Sequence, residues 1–157
     1  MSELHPKVAQ VQAALHAAGI DVTVRQIDEA TPTAAAAAEY LGCEVGAIAN
    51  SLIFMADGEP ILVLTSGAHR VDTTLLAGRI GATAITRAKP DDVKAATGQV
   101  IGGVAPVGHP APVRTYLDVT LGAYDEVWAA AGIAASLFPI TYADLLRATG
   151  ATEVEVD

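Results

Sequence analysis

Apolar residues recur along the chain with two periods, and these periods predict alternating helices and strands. Val8, Val11 and Leu15 follow helical spacing between Pro6 and Gly19, which predicts a first helix with one buried face. Further helices are predicted where a capping residue or an early proline precedes an apolar stripe and a glycine follows it. These helices are expected at 31–42, 72–80, 90–96 and 141–150.

Strand patterns are more numerous than helix patterns. The apolar runs 51–55 and 60–65 flank Asp57-Gly58, a dipeptide that adopts the positive φ angles of a two-residue hairpin turn. Other strands are predicted at 21–27, 83–85, 113–118, 126–130, 134–138 and 153–156. No linker or internal repeat interrupts the pattern, which therefore predicts one mixed domain over residues 1–157. It leaves the strand order open.

Composition favours a folded domain with a closely packed core. Of the 157 residues, 52% are hydrophobic and 32 are alanine, so small side chains supply much of the apolar content. Charged residues are 17%, below the roughly 25% of average domains, which excludes a disordered acidic chain. No apolar run reaches the 18 residues of a membrane span, and a cytoplasmic location is predicted.

The charge is distributed unevenly. A net charge of -9 argues against general binding along DNA or RNA, because a phosphate backbone requires a basic face. The segment 70–114 nevertheless carries six basic and three acidic residues. A contact with one end of an RNA is therefore allowed there, although solvated helix charges would give the same pattern.

The reactive residue types form no familiar catalytic or metal-binding pattern. Cys43 is the only cysteine, and the four histidines lack metal-ligand spacing, so neither a metal nor a cofactor is predicted. Ser51 and Ser66 have no nucleophile-elbow glycines around them. His69 and His109 follow glycine-containing loops and could face a pocket, or could simply be solvated.

The least ordinary stretch is 101–110, in which three glycines and two prolines interrupt an apolar run. Glycine lets a ligand approach the backbone and proline fixes the path of a loop, so exposed N–H groups there could hold a carbonyl or an oxyanion. A tight connection between two elements is the alternative. The glycine spacing matches neither a P-loop nor a dinucleotide fingerprint.

The order of these motifs resembles the YbaK/prolyl-tRNA-synthetase-associated editing family over roughly residues 5 to 157. The motifs are 33–42, 48–54, Asp57-Gly58, Thr97-Gly98, 102–108, 116–118, Ala131-Gly132 and 144–146. The resemblance implies a single α+β domain with a mixed, strongly curved sheet flanked by helices. It also implies a free-standing trans-editing hydrolase that cleaves the ester of mischarged aminoacyl-tRNA, with water or a substrate group as the nucleophile.

The resemblance further implies a set of site residues and partners. The catalytic loop would act through the backbone of Gly102, Gly103 and Pro106. The residues expected to bind substrate are Asn50, Ser51, His69, Ala105, Gly108 and His109. The expected partner is the tRNA acceptor end, an aminoacyl-tRNA synthetase is a further candidate partner, and neither a membrane nor DNA is expected.

Two positions differ from the usual family pattern. Asn50 stands where the family usually has lysine, and Ala105 stands where many relatives have serine. Asparagine keeps hydrogen-bonding groups but lacks the positive charge. A second hypothesis is therefore a non-catalytic module that binds tRNA acceptor ends, aminoacyl-adenosine-like ligands or a synthetase. A plain metabolic hydrolase is a third, disfavoured by the missing nucleophile and metal patterns.

Overall fold

The predicted hairpin forms the centre of the larger sheet. The structure is a computed structural model that describes residues 4–157, so residues 1–3 of the predicted domain lie outside the described residues. Strands β2 (Ala49–Ala56) and β3 (Glu59–Ser66) pair antiparallel over their full lengths. Asp57 and Gly58 have φ angles of 52° and 86° in the turn between them, as the dipeptide predicts.

The described residues form five α-helices and eight strands in an α+β arrangement, which confirms the predicted fold class. The helices are α1 Pro6–Ala17, α2 Ala34–Leu41, α3 Thr73–Ile80, α4 Pro90–Thr97 and α5 Tyr142–Thr149; the other strands are β1 Arg25–Gln26, β4 Ile85–Arg87, β5 Arg114–Asp118, β6 Val127–Ala129, β7 Ser136–Ile140 and β8 Thr152–Val154. One sheet is mixed, in the order β4-β2-β3-β5-β8, and the other is antiparallel, in the order β1-β7-β6. All described helices have 12 residues or fewer, and none could cross a membrane.

Side-chain caps and left-handed glycines mark the ends of the helices. Thr33 Oγ1 accepts a hydrogen bond from the Ala36 N–H at 3.1 Å at the start of α2. Gly42 follows that helix with a φ of 70°, a conformation that favours glycine. The same capping logic holds at α3, where Asp72 Oδ1 accepts from the Leu75 N–H at 3.0 Å. The helix predicted at 72–80 is confirmed, whereas the one predicted at 31–42 begins only at Ala34, because Thr33 caps it and Pro32 precedes it.

The apolar faces meet in three clusters. Val8, Val11 and Leu15 of α1 are fully buried in the largest cluster, which also contains the inner faces of β2 and β3. A second cluster packs α3 against the opposite face of the same hairpin. A third joins the alanines of α2 to Leu137 of β7, where small side chains allow close approach. The two faces of the hairpin are thus both covered.

Several predicted strand boundaries were wrong. The strand predicted at 83–85 starts at Ile85, because the Asp57 carboxylate accepts the Thr83 and Ala84 N–H groups at 2.9–3.1 Å. The strand predicted at 21–27 pairs only at Arg25–Gln26. The one predicted at 134–138 starts at Ser136, whose hydroxyl bonds the Ala131 N–H and the Ile133 carbonyl in the preceding turn. Such side-chain bonds replace ladder bonds locally.

Candidate active site

A cavity of about 360 Å³ opens along the edge of β2. Strand β3 covers one edge of β2 completely, whereas β4 covers the other edge only at residues 54–56. At the start of β2, Ile48 forms a single parallel bridge with Trp128 of the smaller sheet. The stretch between these two contacts has no strand partner on that side, and the cavity occupies the gap.

The cavity wall is mainly apolar and comes from distant parts of the chain. Its residues belong to the 31–34 segment and α2, to β2, to the end of β4, to α4, to the 101–104 loop and to the smaller sheet. The polar side chains in the wall are those of Thr31, Thr33, Asn50, Ser51 and Arg87. Among the described residues that form the wall there is no carboxylate, imidazole or thiol. The wall therefore holds hydroxyl groups but no side chain that could act as a general base to activate one of them.

The glycine loop reaches the cavity at Ile101, Gly102 and Val104. Hydrogen bonds to its other amides hold the loop in place: Gly103 N–H donates to the Val100 carbonyl at 3.0 Å, and Ala105 N–H donates to Gln99 Oε1 at 2.8 Å. The Gly102 and Val104 N–H groups have no hydrogen-bond partner within residues 4–157. Together with the Ile101 N–H, which is likewise unpaired, they are the amides of the cavity-lining loop residues that are available to a ligand.

Close packing explains why glycine occupies two successive positions. Gly102 has a φ of +90°, and a Cβ there would lie 3.1 Å from Pro32 Cβ. A Cβ on Gly103 would lie 2.6 Å from the backbone carbon of Ile133. The first glycine permits the turn and the second permits the loop to pack on the smaller sheet. Substitution at either position must move the backbone that lines or supports the cavity.

Three of the nine predicted site residues line the cavity. These are Asn50, Ser51 and Gly102. Asn50 and Ser51 come from the unpaired stretch of β2, and both are half-buried. The structure thus brings the start of β2 and the glycine loop together, as the resemblance implies, although about 50 residues separate them in sequence.

Five other predicted residues lie in or beside the glycine loop but outside the cavity wall. Gly103, Ala105 and Pro106 are buried. Gly108 has a φ of +85° and its backbone packs on Val11 of α1. His109 Nε2 lies 2.8 Å from the Ala105 carbonyl oxygen, which can only accept, so Nε2 carries the proton. These residues hold the loop in position, and a direct contact with substrate stays a prediction for each.

His69, the ninth predicted residue, belongs to a different cluster. Its Nδ1 lies 3.0 Å from Oδ2 of the fully buried Asp118. The same carboxylate accepts the Ser66 N–H at 3.0 Å and the Thr120 N–H at 3.0 Å. His69 thus helps to satisfy a buried charge and does not line the cavity. Its predicted role in substrate binding stays a prediction.

Cys43 is also separate from the cavity wall. Burial raises the pKa of its thiol, so the thiolate is disfavoured at neutral pH. The thiol is therefore a weak nucleophile at neutral pH.

The burial of His109 should make the free energy of unfolding depend on pH. Burial lowers the pKa of its imidazole, opposed in part by the bond to Ala105. The unfolded chain then binds a proton near pH 6.5 that the folded chain does not, so acidification favours unfolding. We expect the free energy of unfolding to fall between pH 7.5 and pH 5.5, and to fall less in His109→Gln. Denaturant titrations of both proteins at the two pH values check this, and parallel losses would contradict it.

Two residues important for the site were not singled out from the sequence. Arg87 ends β4 at the cavity wall, is exposed, and has no ion-pair partner within residues 4–157. Gln99 is buried, and its side chain positions the loop through Ala105. The basic character of 70–114 was a weak signal for Arg87. Nothing local in the sequence distinguishes Gln99.

The profile of a known protein family, described as the aminoacyl-tRNA editing domain, matches residues 28–148. This match spans the unpaired stretch of β2, Arg87 and the glycine loop. The chain belongs to the aminoacyl-tRNA editing domain family. The resemblance stated from the motif order is therefore confirmed.

One solved structure shares the fold of this chain, and two further proteins are similar to it in sequence. A solved structure described as a candidate trans-editing enzyme for prolyl tRNA synthetase has a TM-score of 0.92 and 39% identity, covering 99% of both chains. The uncharacterized protein YwhH of Bacillus subtilis is 32% identical over 123 residues, 78% of each chain. The proline–tRNA ligase of Levilactobacillus brevis is 33% identical over 85 residues, which are 54% of this chain and 15% of the ligase. The chain thus matches only a small part of that ligase.

Proposed function

We propose that residues 1–157 form one trans-editing domain that hydrolyses the ester bond of mischarged aminoacyl-tRNA. The observation that carries the proposal is the open cavity between Asn50 and Gly102, whose wall includes loop residues with unpaired amides and no side chain that could act as a general base. This is the arrangement expected if the backbone stabilises the transition state and water attacks. Membership of the editing family and the full-length match to a candidate trans-editing enzyme support it.

The proposed reaction is an ordinary ester hydrolysis. The oxygen of a water molecule forms a bond with the ester carbonyl carbon, and negative charge develops on the carbonyl oxygen. The Gly102 and Val104 N–H groups would donate hydrogen bonds to that oxygen. The bond between the carbonyl carbon and the ribose oxygen then breaks. One proton of the attacking water passes to the ribose oxygen, the other is released to solvent, and the amino acid leaves as its carboxylate.

Arg87 would bind the RNA end of the substrate. It is the cationic residue of the cavity wall, and no acidic partner neutralises it in the described part of the chain. A guanidinium can form two parallel hydrogen bonds with a phosphate. Arg87 could therefore supply the positive charge that Asn50 lacks. One basic contact near the cavity suits recognition of the acceptor end by an otherwise acidic protein.

The non-catalytic hypothesis makes a different structural prediction. A module that had lost turnover and kept only a partner-binding surface could fill the cavity between Asn50 and the glycine loop with side chains. The cavity is open instead, with a volume of about 360 Å³. This favours the deacylase, and binding without turnover becomes one outcome of the test.

A panel of tRNAs charged with alanine, cysteine, serine or threonine tests the proposal. We expect the protein to release the amino acid from at least one of them well above the uncatalysed rate, measured as loss of acid-precipitable label. Correctly charged tRNA is the matched control. If the protein binds the charged tRNAs but releases no amino acid from any, the deacylase proposal fails and the binding module stands.

A further inference from the structure

Ser51 carries a buried hydroxyl that has no hydrogen-bond partner. Its Oγ is the one such side-chain atom found within residues 4–157. An unpaired buried hydroxyl destabilises a folded protein, because the group has left water without gaining a new bond. Such an atom in a cavity wall requires an explanation, and a partner that arrives with a ligand supplies one.

The strand register separates Ser51 from the polar end of the cavity. Side chains alternate along β2, so Ser51 projects to the same side as Ala49 and Ile53, which belong to the main core cluster. Asn50 projects to the opposite side, as does Phe54. Arg87 pairs with Phe54 and shares its face of the sheet. The cation and the orphan hydroxyl therefore lie on opposite faces of β2.

The backbone of Ser51 is also open toward the cavity. The two-residue turn makes Ala56 and Glu59 a hydrogen-bonded pair, so the even-numbered residues of β2 bond to β3. The N–H and C=O of Ser51 consequently point away from β3. The ladder with β4 ends at Phe54 and does not reach them. The backbone N–H and C=O of Ser51 thus stand in the uncovered gap of the sheet.

On Ser51's side, the cavity is walled by aliphatic groups. Val93 and Val104 line the cavity there and belong to the same core cluster as Ala49 and Ile53. A phosphate or ribose would be poorly solvated in such surroundings, whereas a short aminoacyl side chain would fit. The orphan hydroxyl is a group that a single hydroxyl on that side chain could satisfy.

We infer that the Ser51 hydroxyl, after rotation about χ1, hydrogen-bonds a hydroxyl on the aminoacyl side chain, so that seryl and threonyl esters are preferred to alanyl esters. This inference rests on the proposed function, since it assigns the ligand of the same cavity. The preference arises because an alanyl group leaves Ser51 unpaired, whereas a seryl group pairs it. Arg87 on the opposite face would meanwhile face the RNA end.

Binding of two hydrolysis-resistant ligands tests this without requiring turnover. The probes are 3′-amide-linked seryl and alanyl analogues of the terminal adenosine, titrated by calorimetry. We expect the parent protein to bind the seryl analogue about tenfold more tightly, as for one net hydrogen bond. Ser51→Ala should bind both equally, with unchanged affinity for the alanyl analogue. The exposed Thr74→Ala on α3 is the matched control and should keep the preference.

The possible results distinguish the inference about Ser51 from the proposal of deacylase activity. Equal binding of both analogues by the parent, or a preference that persists in folded Ser51→Ala, overturns the inference, and so does binding of neither analogue. A seryl preference in a protein that releases no amino acid supports the inference while the deacylase proposal fails. The thermal midpoint of Ser51→Ala should be no lower than that of the parent, because the substitution removes an unpaired group. If Ser51→Ala does not fold, equal binding by the parent still overturns the inference, and the near-isosteric Ser51→Cys, whose thiol is a weak hydrogen-bonding group, takes the variant's place.

Discussion

Gly102→Ala is expected to lower the single-turnover rate of deacylation by about 10²–10³-fold, the loss typical for one misplaced oxyanion donor. Gly102 has a φ of +90°, which strains any residue that carries a Cβ, and the added Cβ would lie 3.1–3.3 Å from Pro32. Relief of both strains moves the loop, and with it the Gly102 and Val104 amides. The rate is measured with protein in excess over the mischarged tRNA.

A substitution at a second glycine serves as the control, because it strains the backbone without touching the cavity. Gly150 follows α5 with a φ of +62°, and a Cβ there would meet nothing within 4 Å. Gly150→Ala carries a similar backbone strain, far from the cavity wall. It should lose stability and retain its rate. Equal rates for folded Gly102→Ala and Gly150→Ala would contradict the role assigned to the loop.

Arg87→Gln is expected to weaken tRNA binding by about tenfold at low salt, in keeping with the loss of one charge-assisted contact. The slope of log affinity against log salt should fall by roughly 0.7–0.9, because one fewer phosphate is neutralised. The measurement is a salt series of tRNA affinities. A fall in affinity without a change in slope would show that Arg87 does not contact a phosphate.

Arg114→Gln is the matched control for this charge change. Arg114 is likewise an exposed strand arginine of the 70–114 segment, but it does not line the cavity. Its replacement removes the same net charge from the protein. We expect tRNA affinity to change little. Equal effects at the two positions would indicate general electrostatic attraction instead of a contact made by Arg87.

The sequence predicted those elements whose signals are local. The hairpin required only Asp57-Gly58 between apolar runs, and the end of α2 required only Gly42 after its apolar stretch. The start of β4 depended on the Asp57 carboxylate capturing the Thr83 and Ala84 amides from 26 and 27 residues away. No periodicity carries that information. The boundary was therefore wrong where a distant side chain decides it.

In the candidate site, too, local motifs were predicted from the sequence, whereas features that depend on tertiary packing were not. Motif order indicated both Ser51 and Gly102, but only the folded chain shows that Gly103 N–H is bonded to Val100 while Gly102 N–H is free. Arg87 reaches the cavity because the β4 ladder stops there, which depends on sheet pairing. Which residues line a cavity formed by six separate segments follows from tertiary packing and cannot be derived from spacing.

The most direct measurement is the single-turnover rate of amino acid release by the parent protein and by Ser51→Ala, His69→Ala and His109→Ala, with saturating protein and the best substrate of the panel. The parent is predicted to release amino acid, and each folded variant to stay within about tenfold of it, because no side chain acts as the base. General bases typically contribute 10²–10⁴-fold. No release by the parent, or a loss of more than 10² in a variant that still binds tRNA, would contradict hydrolysis by the loop backbone.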